Sequence, residues 1–239
     1  MGMNQSPRRV NLVNLGRTEY QSTWELQRTI FELRTAGKIA DVVLLNEHEH
    51  VYTIGKNGDD NHLLASDEEL KSTGANVYHI DRGGDITYHG PGQLVGYPIL
   101  KLDEFYSDVH RYLRDLEEVI MRTLAEFDIE SRRDKDFTGV WVGNDKIAAI
   151  GVKVSHWTTM HGFALNVSTD LSYFDRIIPC GIFHKGVTSI ERLLERPVPV
   201  TEVHVARHFG EVFGVEMIES DGGEFIQSLD CLQSTGCLQ

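Results

Sequence analysis

Arg82-Gly-Gly-Asp-Ile-Thr-Tyr-His-Gly-Pro-Gly-Gln-Leu-Val-Gly-Tyr-Pro98 decides how this chain reads. Glycine costs backbone entropy and packs nothing in a strand. Such a density of it marks a main chain that turns sharply or lies against a ligand. Tyr88 and His89 stand between glycine pairs and present polar groups beside bare backbone. Alone, the stretch fits a ligand-free hairpin, a phosphate cradle or one wall of a pocket. Residues 77–80 lead into it as a strand, and residues 93–100 leave it as another.

Working outward, residues 10–15 read as a first strand. Residues 19–36 read as a helix with Leu26, Ile30 and Leu33 at helical spacing. Residues 41–45 and 51–54 are apolar, strand-like runs joined by the polar Asn46-Glu-His-Glu-His50, and a loop at 57–61 precedes a short helix at 67–72. On the far side, residues 108–127 carry the clearest helical signal. Val109, Leu113, Leu116, Ile120, Leu124 and Phe127 make one stripe, with Arg111, Arg114, Glu117 and Glu118 mostly opposite. Three strands follow at 138–142, 146–154 and 158–167, with short connections that suggest a meander. A short helix at 171–177, a helix at 201–213 and a last strand at 215–218 complete the pattern. Helices and strands mix without strict βαβ alternation, which predicts an α+β fold with mostly antiparallel or mixed pairing. We expect one catalytic domain over residues 1–219 and a poorly ordered tail over 220–239.

A chain of 239 residues has ample core for this. Its longest apolar runs fall short of the roughly 20 residues that span a bilayer, and the first residues lack a signal-peptide apolar region. A cytoplasmic protein with no membrane partner is expected. The net charge of −13 argues against nucleic-acid binding, which needs a basic face. Residues 132–153 gather Arg132, Arg133, Lys135, Lys146 and Lys153 against Asp134, Asp136 and Asp145, a local surplus of positive charge. With Lys185, Arg132 and Arg133 are the candidates for docking an acidic partner.

Cys180, Cys231 and Cys237 form neither a disulfide framework nor a zinc pattern. His48 and His50 alone make an incomplete metal site, so no metal is expected. Cys180 differs from the other cysteines because Pro179 and Gly181 flank it. Such a turn can expose a thiol and offer a peptide N–H to an oxyanion. The thiol reacts as thiolate and needs a base or cation nearby. His89, His161 and His184 are candidates for a Cys-His dyad. So is Lys146, a charged residue opening the apolar strand Lys-Ile-Ala-Ala-Ile-Gly151. An ammonium there can hold a thiolate, or the lysine can act as base.

Five segments in order resemble the octanoyltransferases of lipoate biosynthesis: Glu49-His-Val-Tyr-Thr-Ile-Gly55, Arg82 to Gln93, Lys146 to Gly151, His161-Gly-Phe-Ala-Leu-Asn166 and Pro179-Cys-Gly-Ile182. The resemblance spans roughly residues 10–215. It implies the fold of lipoate- and biotin-protein ligases: a large mixed sheet flanked by helices, with a smaller second sheet. It implies octanoyl transfer from acyl carrier protein to a lysine of lipoyl domains of 2-oxoacid dehydrogenase E2 subunits or of the glycine-cleavage H protein. Neither metal, ATP nor redox cofactor would be needed, and a monomer is expected.

By matching position, Cys180 would carry the acyl thioester, and Lys146 would lower its pKa and relay protons. Arg82, Gly83, Gly84 and Asp85, with Ile86, Thr87, Tyr88 and His89, would line the acyl site. Ala149, Ile150 and Gly151 would complete it with Gly162, Phe163 and Ala164. An ATP-dependent lipoate-protein ligase and a non-catalytic acyl- or lipoyl-binding module are the alternatives. His48-Glu-His50 stands where many members have proline, and the chain after Glu219 matches nothing in the family.

Overall fold

A computed structural model describes residues 7–178, 186–199 and 202–235. Its larger sheet has eight strands: β1 (Arg8–Thr18), β2 (Val42–His48), β6 (Gln93–Ile99), β7 (Arg132–Arg133), β8 (Val140–Val142), β9 (Asp145–Ser155), β10 (Thr158–Asn166) and β11 (Val215–Ser220). They stand in the order β11-β1-β2-β6-β10-β9-β8-β7. β1 runs parallel to β2 and β11, and the other neighbours are antiparallel. The second sheet holds β3 (Val51–Ile54) between β4 (Asn76–His79) and β5 (Ile86–His89), in the order β4-β3-β5. This is the mixed α+β architecture expected, and the glycine-rich stretch joins the two sheets through β5 and β6.

Helix α1 (Tyr20–Thr35) covers one face of the large sheet, and α3 (Val109–Ala125) and α5 (Glu202–Phe213) cover the other. Glu19 caps α1 by accepting from the Gln21 and Ser22 amides. A Ser66/Glu69 capping box opens α2 (Asp67–Thr73), and left-handed Gly74 ends it. Asp108 caps α3, whose Leu116, Val119, Ile120 and Leu124 enter the main core with Phe163 and Leu165 of β10. β9 and β10 meet at His156 and Trp157, both with positive φ, as a two-residue hairpin of right-handed twist requires.

Three features depart from the sequence reading. Glu117 lies on the polar side of the helical wheel yet is fully buried, because the Gly139 N–H and Arg114 donate to its carboxylate. Residues 171–177, expected as a short helix, take the tighter 3-10 form over Leu171–Arg176. The expectation of a poorly ordered tail is corrected for most of its length. Gly222–Thr235 form helix α6, and Leu229 is buried with Val13 and Ile30 in the core beneath α1. Burial of one leucine and its neighbours anchors a segment whose polar composition gave no such signal.

Candidate active site

A cavity of about 470 Å³ opens between the two sheets. One side is the second sheet's exit, Arg82 through Thr87 and His89; the other is the face of β6, β10 and β9. Ala149 pairs with Ala164, and Gly151 with Gly162, so a strip of small residues crosses β9 and β10. The strip leaves room for a chain to lie close to backbone. Gly151 is covered by Arg82, whose Cδ stands 3.0 Å from where a Cβ would be. The Arg82 guanidinium donates to the Thr53 carbonyl at 2.7 Å and to its hydroxyl at 2.9 Å, which fixes that cover. Gly162 can carry no side chain, since a Cβ would meet the Gly96 carbonyl oxygen at 2.1 Å.

The cavity brings together Lys146 and every expected substrate-binding position except Tyr88. Alternation along β5 turns Thr87 and His89 toward the cavity and Tyr88 away from it. Tyr88 packs with Tyr52, Tyr173 and Phe174 under the second sheet, and its hydroxyl meets His50 Nδ1 at 2.8 Å. Cys180 lies outside the described residues, with its neighbours Pro179 to Lys185, and so does Cys237. The residues on either side are placed. Ile178 donates to the His62 carbonyl at 2.8 Å, and Gly186 accepts from the Lys146 N–H at 2.9 Å.

Lys146 sits at the start of β9. Thr188 donates to its carbonyl at 3.0 Å, and its ammonium stands 4.8 Å from the centre of the Trp141 ring. Its stem passes over Gly139, whose φ of 128° suits only glycine. The buried Glu117 carboxylate thus holds, through Gly139, the strap carrying cavity residues Phe137 and Thr138.

A hydrogen-bonded chain ties the glycine-rich stretch to the Lys146 segment. Gln93 Nε2 donates to the Tyr88 carbonyl and to Asn166 Oδ1, so Gln93 Oε1 must accept. It accepts from His89 Nδ1 at 2.8 Å, and Asn166 Nδ2 donates to the Thr188 carbonyl at 3.0 Å. His89 is therefore the neutral Nδ1–H tautomer with a bare Nε2. Burial pushes its pKa down to about 3 and that of His48 down to about 4. His161, also on the cavity, is lowered by burial against the opposing pull of Asp81, which accepts from its Nε2 at 2.9 Å. His48 and His50, two positions apart in sequence, are spent on different partners: His48 Nε2 meets the Tyr97 hydroxyl at 2.6 Å, and His50 stacks on Tyr173.

These buried imidazoles set a pH dependence. Each takes up a proton on unfolding wherever pH lies below the unfolded value near 6.5 and above its folded value. Stability is full above about pH 6.5 and falls as pH drops toward 4, by up to roughly 1.4 kcal/mol per pH unit for each histidine. The midpoint of thermal unfolding should fall over that window, and His48→Gln should flatten the slope. A pH-independent midpoint between 6.5 and 4.5 would contradict these burials.

Tyr20, Tyr97, Gln93, Phe137 and Thr138 also line the cavity and were missed as site residues. Gln93 and Tyr97 both stand in the glycine-rich stretch Arg82 to Pro98, which was the available signal for them. The docking cations fare differently. Arg132 donates to the Gly143 carbonyl at 2.9 Å, and Arg133 binds Glu118 at 2.6 Å, so both charges are met within the chain.

Small-residue strip, glycine-rich cover and a lysine at the cavity define an enzyme of the lipoate-protein ligase fold. Lipoate-protein ligase A bound with ATP superposes with a TM-score of 0.68 at 15% identity, over 94% of this chain and 92% of that one. The bi-partite lipoate protein ligase of Thermoplasma acidophilum gives 0.68 at 17% identity, over 93% and 90%. Residues 19–209 match the model of the lipoyl protein ligase A/B catalytic domain. The octanoyltransferase of Rubrobacter xylanophilus is 55% identical over 83% of this chain and 91% of its own length. That of Christiangramia forsetii is 49% identical over 87% and 97%. The chain belongs to the lipoyl protein ligase A/B catalytic-domain family, among its octanoyltransferases, and is an acyltransferase.

Proposed function

We propose that the chain moves an octanoyl group from the thioester of acyl carrier protein to the ε-amino group of a lysine on a lipoyl domain or H protein, through an acyl thioester on Cys180. The observation that carries this reading is the union of Lys146 with the glycine-rich stretch around one largely apolar cavity, in a chain whose relatives are octanoyltransferases. The Cys180 thiolate attacks the carbonyl carbon, and a new C–S bond forms. The carrier's sulfur departs and takes a proton from Lys146. The acceptor amine then attacks the Cys180 thioester, Lys146 receives the amine's proton, and the amide forms as the Cys180 thiolate leaves. Exchange of one thioester for another is near balance, and thioester to amide runs downhill, so the cycle needs no ATP.

About six methylenes at ~0.8 kcal/mol each hold the chain with roughly 5 kcal/mol. Burial against Phe163, Ile150 and Ala164 supplies such a surface. A cytoplasmic location fits this reading. Among the described residues no helix is long and apolar enough to cross a membrane. Incubation with octanoyl-carrier protein, without ATP, should add one octanoyl mass to a peptide containing Cys180. The adduct should be absent in Cys180→Ala. An active Cys180→Ala enzyme that consumes ATP would make the protein a ligase, and tight binding without turnover or adduct would make it a binding module.

A further inference from the structure

The acyl cavity has a polar inner wall that an alkyl chain does not call for. Tyr97 stands on β6, two strands across the sheet from β9, and follows Gly96, which is level with Phe163 and Ile150; it therefore lies about five residues along the strands from Lys146, toward the far side of the cavity. His48, bonded to the Tyr97 hydroxyl, has the Tyr20 ring centre 5.0 Å and the His89 ring centre 5.9 Å away; the Tyr20 and His89 rings lie parallel with centres 6.1 Å apart, and both residues line the cavity. Tyr97 gives its hydroxyl to His48, and His161 is held by Asp81. The remaining two groups are different. Tyr20 is 2% exposed and His89 7% exposed. Neither the Tyr20 hydroxyl nor His89 Nε2 has a hydrogen-bond partner among the described residues. Buried polar groups are seldom left in this condition without water or a ligand beside them.

We infer that this wall is the chain-length ruler of the enzyme: the Tyr20 hydroxyl and His89 Nε2 make the cavity reject acyl chains longer than the one it holds. The inference rests on the acyl-transfer reading above. An apolar end would reward every added methylene with further burial. A polar end reverses the sign. A chain that stops short leaves water on the hydroxyl and on Nε2. A chain two carbons longer displaces that water and leaves both groups buried and unpaired, which costs more than the two methylenes return. His89 keeps its Nδ1–H on Gln93, so it cannot turn to hide the bare nitrogen. Tyr20 opens α1 directly after the Glu19 cap, so its ring is fixed by the start of the helix.

The first measurement uses the unaltered protein and free alkanoates, read by calorimetry. Affinity should fall from octanoate to decanoate. A rise would overturn the ruler whether or not transfer is catalysed. The second compares octanoyl and decanoyl carrier-protein donors with Tyr20→Phe, which removes the hydroxyl and keeps the ring. The decanoyl-to-octanoyl ratio of kcat/KM should rise about tenfold. Val95→Ala, which enlarges the β6 floor and leaves the wall polar, should move the ratio less than Tyr20→Phe does. An unchanged ratio in Tyr20→Phe, or a larger change in Val95→Ala, makes cavity volume the determinant and overturns the inference. Failure to transfer from any donor, with octanoate still bound in preference to decanoate, would sink the transferase reading and leave the ruler standing.

Discussion

Lys146→Met should lower kcat/KM for octanoyl transfer by about a thousandfold, with little change in the thermal midpoint. Methionine keeps the unbranched stem that lies over Gly139 and beside Trp141, so packing is preserved while the ammonium is lost. The proton-transfer role assigned to Lys146 is worth on the order of 10² to 10⁴ in rate. In the proposed cycle two proton movements pass through the same nitrogen, one to the departing carrier sulfur and one from the acceptor amine. Both half-reactions should therefore slow: formation of the Cys180 adduct in single turnover, and its discharge to the acceptor. The backbone of residue 146 still bonds Gly186 and Thr188 in the variant, so the chain that follows the Cys180 segment keeps its anchor. Normal adduct formation in Lys146→Met would remove the lysine from the first step. A loss of activity that tracks a falling midpoint would make its role structural.

Asp41→Ala should destabilise the fold by about 3 kcal/mol, and chemical or thermal unfolding checks it. Asp41 is 1% exposed at the start of the second strand. It accepts from Arg34 at 2.7 Å, from Arg8 at 2.8 Å and from the Lys101 N–H at 2.8 Å. One carboxylate thus joins α1, β1, β2 and the exit of β6. Its loss leaves the buried Arg34 with Glu104 as its remaining carboxylate among the described residues. Removing one member of a buried ion pair costs several kcal/mol because the other charge stays desolvated. For a chain of this size that corresponds to a fall in midpoint of roughly 6–12 °C. Arg17→Ala, at the exposed Arg17–Glu47 pair, is the control and should stay within about 0.5 kcal/mol. Activity per folded molecule should be retained in Asp41→Ala, since Asp41 is absent from the cavity lining.

Local chemistry made part of this site legible. A lysine opening an apolar strand, and glycines packed at a density no ordinary strand carries, are signals that do not depend on what lies next to them in space. The long helix with its apolar stripe, the short apolar strands at 41–45 and 51–54, and the short connections of the meander belong to the same class. Each is set by residues within a few positions of one another. Tyr88 marks the limit of this reading. Its motif placed it among the site residues, but the pleat of β5 sends it into the second sheet's own core.

The amino-acid sequence by itself determined the α+β class, the glycine-rich cover and the lysine of the site. The tertiary structure alone decided the strand order β2-β6-β10-β9, and with it which face of each strand looks into the cavity. That order brings Tyr20, His89 and Tyr97 together as a polar wall and buries Glu117 under the strap beside Lys146. It also docks α6 through Leu229. The physical reason is that propensity and periodicity act over a few residues. The burial of a hydroxyl, a carboxylate or a single leucine depends on partners up to two hundred positions away, and these meet only when the sheet closes.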